Sequence, residues 1–129
     1  MILDTSALSA ILFQEPEADL YLRRIFEAEH CRISAANFVE LSMVVERQSG
    51  AEGGRQCDMF LRRAEIVIEP VTIEQAHLAR HAFLDFGKGR HPAGLNFGDC
   101  FAYALAKATG EPLLYKGTDF SKTDIQGAE

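Results

Sequence analysis

Four short apolar runs, alternating with stretches of helical spacing, constrain this chain more than any other feature. The runs are Met1 to Leu3, Cys31 to Ile33, Ile66-Val67-Ile68 and Leu113 to Tyr115. They lack the period-two alternation of a half-exposed strand, and Ile66-Val67-Ile68 is wholly β-branched. Strands of this kind are buried on both faces, and strands joined through helices run parallel. The expected fold class is therefore α/β, a three-layer α/β/α sandwich around a central, mostly parallel sheet. At 129 residues the length suits one unit, so residues 1–129 read as a single domain beginning on a strand.

Local signals place the helices. Asp4-Thr5-Ser6 leads into Ala7 to Phe13, and Pro16 opens a second helix carrying Leu20, Leu22, Ile25 and Phe26. Ser34 is the N-cap of a helix from Ala35 to Arg47 that reads as apolar on most faces. Ser49-Gly50 and Gly53-Gly54 bracket an expected turn before a short helix, Arg55 to Arg63. Glu69-Pro70 stops the third strand. Thr72 and Gln75 then spell a capping box, with Val71 placed as a staple against Ala76, for a helix that ends near Phe86 and Gly87. After a loop from Lys88 to Leu95, Asn96 can cap Phe97 to Thr109, and Gly110 ends that helix. The tail holds at most a two-residue strand near Asp124-Ile125.

Composition excludes several classes. Hydrophobic residues at 47% and charged residues at 25% describe a folded globular chain. Cys31, Cys57 and Cys100 are odd in number and form no CxxC. That argues against a disulfide framework or a cysteine zinc site, and fits the reducing cytoplasm. No apolar run approaches the roughly 20 residues that span a bilayer. No basic leader precedes the first apolar stretch, so neither membrane insertion nor a signal peptide is expected. The formal net charge is −6, whereas a protein that coats nucleic acid is basic. Nucleic acid is a substrate here only if a metal and a local basic patch neutralise it.

In a parallel sheet, ligands bind beyond the carboxyl ends of the strands. Asp4 lies just past the first strand and Asp119 shortly past the fourth. Asp4 alone could be a helix cap, and Asp119 a loop acid. Glu40 sits among Phe38, Val39, Leu41 and Val45, where a carboxylate requires a metal or a buried ion pair. Asp99 lies three residues after the cap Asn96, at the positive end of a helix whose Phe101 to Ala106 stretch is apolar all round. A cap role explains Asp99 without chemistry. Convergence of four carboxylates calls for a cation, and oxygen-only ligands favour Mg²⁺ or Mn²⁺ over zinc. Such a site suits water activation and in-line displacement at phosphorus.

The segments Ile2-Leu3-Asp4-Thr5-Ser6-Ala7, Ala36-Asn37-Phe38-Val39-Glu40, Leu95 to Ala104 around Asp99, and Pro112 to Phe120 occur in order across essentially the whole chain. Together they resemble a PIN domain, specifically the VapC-type toxins of bacterial toxin–antitoxin pairs. The resemblance implies a PIN-like fold and a Mg²⁺-dependent endoribonuclease that cuts structured RNA, often tRNA or rRNA, by attack of a metal-bound water. It also implies a VapB-type antitoxin that blocks the site, and a homodimer. By position, Asp4 and Asp99 are the implied metal ligands, Glu40 and Asp119 complete the catalytic carboxylates, and Ser6 is the supporting hydroxyl. Asn96 matches a cap rather than a catalytic group. Family members vary around Asp119.

Other features have ordinary explanations beside functional ones. Arg47, Arg55, Arg62, Arg63, Arg80, Lys88 and Arg90 are candidates for an RNA path, or simply solvated charge. Lys88 and Arg90 stand out as RNA-contact candidates because their loop leads to Asp99. His77 and His81 are half a zinc site at most, and Cys100 reads as a buried small side chain. Phe13, Leu20, Leu22 and Phe26 suit core packing or a groove for a partner helix. Three competing readings use the same acids. An Asp-nucleophile phosphatase needs an acid where Ser6 stands. A receiver-like phospho-accepting module uses Lys116 but lacks the acidic pair and the third-strand acceptor. A catalytically silent PIN fold would bind its partner only.

Overall fold

The computed structural model describes residues 1–128. The elements are β1 (Ile2–Leu3), α1 (Thr5–Leu12), α2 (Ala18–Glu27), β2 (Cys31–Ser34), α3 (Ala35–Arg63), β3 (Ile66–Glu69), α4 (Ile73–Phe86), α5 (Phe97–Thr109) and β4 (Leu113–Leu114), followed by a 3₁₀ turn, Phe120–Lys122. All four strands are parallel, in the order β3-β2-β1-β4. Ile2 registers with Arg32 on one side and Leu113 on the other, and Leu3 registers with Leu114.

Neighbouring residues of a strand face opposite ways, so each short strand feeds two cores. Ile2 and Leu113 pack with Ala82, Leu95 and Leu105 under α4 and α5. Leu3, Ile33 and Leu114 pack with Leu8, Ile25 and Leu41 under α1, α2 and α3. Two filled faces are what make the three layers, and central strand β2 keeps one charged position, Arg32, which pairs with Glu69 and Glu111. All three cysteines are free and buried. Among the described residues, no helix is long and apolar enough to cross a membrane.

The caps follow the sequence signals. Ser34 Oγ accepts from Ala36 N at 3.3 Å, and Gly110 ends α5 at φ +71°. Asn96 and Asp99 form a reciprocal capping box, with bonds of 2.9 and 3.0 Å. Thr72 is a one-way cap: its hydroxyl accepts from Gln75 N at 3.1 Å, but the Gln75 side chain turns into the interior instead of returning the bond.

Four expectations need correction. The turn expected across Ser49 to Gly54 is a single break at Gly50, and Gly53 and Gly54 lie within helix. Gly50 adopts φ +63°, ψ −162°, a conformation open to a residue without Cβ. The helix from Ala35 is not covered on most faces, because Val39 and Met43 are 53% and 57% exposed. Strand β3 is an edge, and its Val67 and Ile68 are half exposed rather than buried on both sides. The tail pairs later than expected: Leu113 bridges Gly127, with Leu113 N donating to Gln126 O at 2.9 Å. Asp124 acts as an anchor instead, accepting from Tyr103 Oη and from Lys107 Nζ at 2.7 Å each.

Candidate active site

Because the strands are parallel, their carboxyl ends share one edge, and β1 delivers Asp4 there. Asp4 is 3% exposed and caps α1. Its Oδ2 accepts from Ser6 N at 3.0 Å and from Ser6 Oγ at 2.5 Å. Ser6 Oγ in turn accepts from Lys116 N at 2.9 Å, which ties the end of β1 to the end of β4. Asp4 Oδ1 is buried and has no protein partner. Burial raises the Asp4 carboxyl above its ordinary range, the two Ser6 bonds oppose this, and the Glu40 charge adds to it.

Glu40 stands on α3, facing α1 and the start of α5. It is half-buried, so the enclosure expected from its neighbours is absent. Specific donors hold it. Thr5 Oγ1 donates to Glu40 Oε1 at 2.5 Å, and Asn37 Nδ2 donates to the same oxygen at 3.3 Å. Asn37 is fully buried and also donates to Gly98 O at 2.9 Å. Glu40 occupies the space where a Cβ of Gly98 would stand. The first turn of α5 can approach α3 this closely because residue 98 is glycine.

Asp99 follows Gly98 and is drawn in by its capping bond to Asn96 N. Its carboxyl is pushed up to about 7. Burial is the main cause, the bond from Asn96 works against it, and Asp4, Asp119 and Glu40 each add negative charge. Asp119 is exposed, in the segment between β4 and the 3₁₀ turn anchored by buried Phe120. The structure thus brings the other three acids into electrostatic range of Asp99. It does not draw three of them to metal-ligand spacing, and no such group of His, Cys, Asp or Glu occurs among the described residues.

The residues nonetheless fit a divalent cation. The donors are carboxylate oxygens, hard ligands matched to Mg²⁺ or Mn²⁺. Asp4 supplies a buried oxygen with its coordination capacity unspent, and the charge gathered around Asp99 is of the sign a cation relieves. Other candidates fall elsewhere. Lys88 and Arg90 are exposed; Lys88 N bonds Leu95 O at 2.9 Å, while Arg90 lies 5.8 Å over the Phe83 ring and bonds Leu84 O. His77 and His81 are exposed on α4 and join no metal group. Cys100 is buried, and its thiol is pushed up to about 11 chiefly by burial, which makes it a packing group. Lys116 Nζ pairs with Glu15 and Glu17, which removes the lysine a receiver-like module would place at its acidic site. Phe13 packs on the core while Leu20 and Phe26 are exposed, so these side chains do not share one groove.

A family model for the PIN domain matches residues 1–126. The chain belongs to the PIN domain family. Within it, ribonuclease VapC30 of Mycobacterium tuberculosis is 49% identical over 126 residues, covering 97% of this chain and 95% of its own. That places this PIN domain in the VapC branch. The crystal structure of Mycobacterium tuberculosis VapC20, a sarcin-ricin loop cleaving toxin, matches with a TM-score of 0.79 at 16% identity. That match covers 98% of this chain and 97% of the other. VapBC2 from Rickettsia felis, bound to a DNA fragment from its promoter, matches with a TM-score of 0.78 at 15% identity, covering 99% and 96%. These two likenesses carry the fold.

Three residues of this PIN domain site were not singled out from sequence: Thr5, Asn37 and Gly98. Thr5 was hidden by its place between two candidates. Asn37 lies one helical turn before Glu40, which was the available signal. Gly98 is an unforced glycine inside a helix, beside an acid.

The Asp99 carboxyl gives a signed expectation. The metal-free fold holds this proton up to about pH 7, whereas the unfolded chain releases it near pH 4. The fold therefore binds more protons in between, and its stability falls as pH rises across that window. Melting of the metal-free PIN domain, followed by circular dichroism, should shift down by several degrees between about pH 5 and 8. Asp99→Asn should flatten that trend, and Mg²⁺ should raise the melting temperature more at the upper pH than at the lower.

Proposed function

We propose that this PIN domain is a Mg²⁺-dependent endoribonuclease, the toxin of a VapBC-type toxin–antitoxin pair. Its reaction is hydrolysis of a phosphodiester bond in structured RNA, tRNA or rRNA. The observation that carries this reading is the charge environment of Asp99, where three further carboxylates act on one acid at the start of a buried helix. Asp4 and Asp99 would hold the Mg²⁺, with Mn²⁺ as a substitute, and Glu40 and Asp119 complete the catalytic set. The chemistry a bound Mg²⁺ supplies is neutralisation of the phosphate and acidification of a water.

The remaining work falls to the chain. Ser6 fixes the Asp4 carboxylate through two bonds to Oδ2 and leaves Oδ1 available. Thr5 and Asn37 occupy Glu40 Oε1, so Oε2 is the oxygen that receives a proton from the attacking water. The Asn96 backbone N–H orients the Asp99 carboxylate through its bond to Oδ2. Attack by water with the 3′-oxygen leaving gives a 3′-hydroxyl and a 5′-phosphate, whereas attack by the 2′-OH with the 5′-oxygen leaving would give a cyclic phosphate. Lys88 and Arg90, exposed on the loop that leads to α5, contact RNA phosphates.

The likeness to VapC30 supports the nuclease, and the fold shared with VapC20, a sarcin-ricin loop cleaving toxin, suits an RNA target. The likeness to the VapBC2 complex supports a VapB-type antitoxin that covers the acidic site. Three reduced, buried thiols suit a cytoplasmic setting. Val39, Met43 and Phe97 are 53%, 57% and 79% exposed along one cleft that also includes Phe101 and Arg47. A contiguous apolar surface of that kind serves association, and a second copy of this chain is its occupant.

Purified protein should make discrete cuts in bacterial RNA with Mg²⁺ and none with EDTA, leaving 3′-hydroxyl ends. Asp99→Asn should lose more than the roughly 10–100-fold typical of residues that only orient a metal's ligands. Equal activity in EDTA would sink the reading. Replacing Lys88 and Arg90 by Ala should weaken RNA binding and lower the slope of log K against log salt by about 0.7 per lost contact on single strands. An unchanged slope removes them from the RNA path. Met43→Asp should convert the dimer to a folded monomer in sedimentation experiments, and a dimer that survives it is built on another face.

A further inference from the structure

Given the nuclease reading, we infer that Asn37 is a positioning residue, a buried amide that sets Glu40 against Asp99 by bracing α3 to the first turn of α5. Its Nδ2 carries two hydrogens and meets two acceptors, Gly98 O at 2.9 Å and Glu40 Oε1 at 3.3 Å. Rotating the amide by half a turn would put Oδ1 against both acceptors, so one orientation is enforced. Gly98 O belongs to the residue before Asp99. One amide therefore spans the two helices that carry two of the four acids.

The contact is closed from the other sides. Thr5 Oγ1 bonds Glu40 Oε1 and approaches Asn37 O at 3.4 Å, joining the residue after Asp4 to the same unit. The Glu40 carboxylate fills the space a Cβ at residue 98 would take. Both donors are spent on Oε1, so the brace selects which carboxylate oxygen remains for the reaction. Asn37 is 0% exposed and its Oδ1 has no partner. A buried asparagine with half its bonding capacity unmet is a poor choice for packing alone, and its donor half explains why it is there.

The test is a cycle in the full chain. Asn37→Ala should lower kcat by about 10–100-fold with KM for RNA little changed, part of the roughly 10²–10⁴-fold that a positioned general base supplies. In a Glu40→Gln background the same substitution should change kcat less than about twofold, since coupled residues are not additive. Mn²⁺ titration by calorimetry supplies a readout without RNA, because the Glu40 charge acts on the Asp99 site: Asn37→Ala should weaken binding in the parent and leave the Glu40→Gln chain unaffected. Equal losses in both backgrounds overturn the inference, as does an unchanged parent. Gly98→Ala covers the case in which Asn37→Ala fails to fold. It should displace the Glu40 carboxylate and cost a similar factor, and shortening that side chain with Glu40→Asp should recover part of the loss. If Gly98→Ala cleaves RNA and binds Mn²⁺ like the parent, the brace does not set Glu40. If the parent binds Mn²⁺ but cuts no RNA, the nuclease reading fails while the calorimetric cycle still decides the brace.

Discussion

Both helical layers are held to the sheet through two adjacent side chains, Ile2 and Leu3. β1 is one of the two central strands, and its two residues are fully buried in different cores. Burying a side chain of this size contributes about 1.5–3 kcal/mol, and here neither face can be loosened without disturbing the other. The next residue is Asp4. Its position, its burial and its role as the cap of α1 follow from the place of β1 at the centre. A carboxylate has been carried to the rim of a hydrophobic interior by the strand that interior most depends on.

That placement costs solvation, and the site shows how the cost is met. Each buried or half-buried acid is given donors on one side: Ser6 on Asp4 Oδ2, Thr5 and Asn37 on Glu40 Oε1, and the Asn96 amide on Asp99. The donors are neutral hydroxyls and amides. No arginine or lysine pairs with Asp4, Glu40, Asp99 or Asp119 among the described residues, and Lys116 is occupied by Glu15 and Glu17. Neutral donors hold carboxylates in place without discharging them. The negative potential is thus preserved for a cation, whereas ordinary buried acids are paired off with one.

The parts of this arrangement written in local sequence were legible. The strand-helix alternation gave the layers, and Ser34, Asn96 and Gly110 mark helix ends by chemistry that acts within a few residues. Asp4 and Asp99 were visible because each closes such a local signal. The sequence marks Glu40 as enclosed because its helix is nearly all apolar, whereas Val39 and Met43 face outward. An apolar helix face reads the same whether it meets the core or a partner. The edge position of β3, the single break at Gly50 and the later pairing of the tail at Gly127 depend on contacts between distant segments, which periodicity does not encode. Asn37 and Gly98 were missed for the same reason: their meaning lies in a contact across 61 residues of chain.

The all-parallel strand order has a consequence for the timing of synthesis. With no hairpin, every strand pairing joins segments separated by a helix, and contacts between distant parts of a chain form late and slowly. Asp4 is synthesised well before Asp99, β4 and Asp119. A nascent or prematurely terminated chain that lacks α5 and β4 has no way to assemble the acidic centre. Whatever these carboxylates do to RNA, they cannot do it to the ribosome still making them before α5 and β4 have been synthesised.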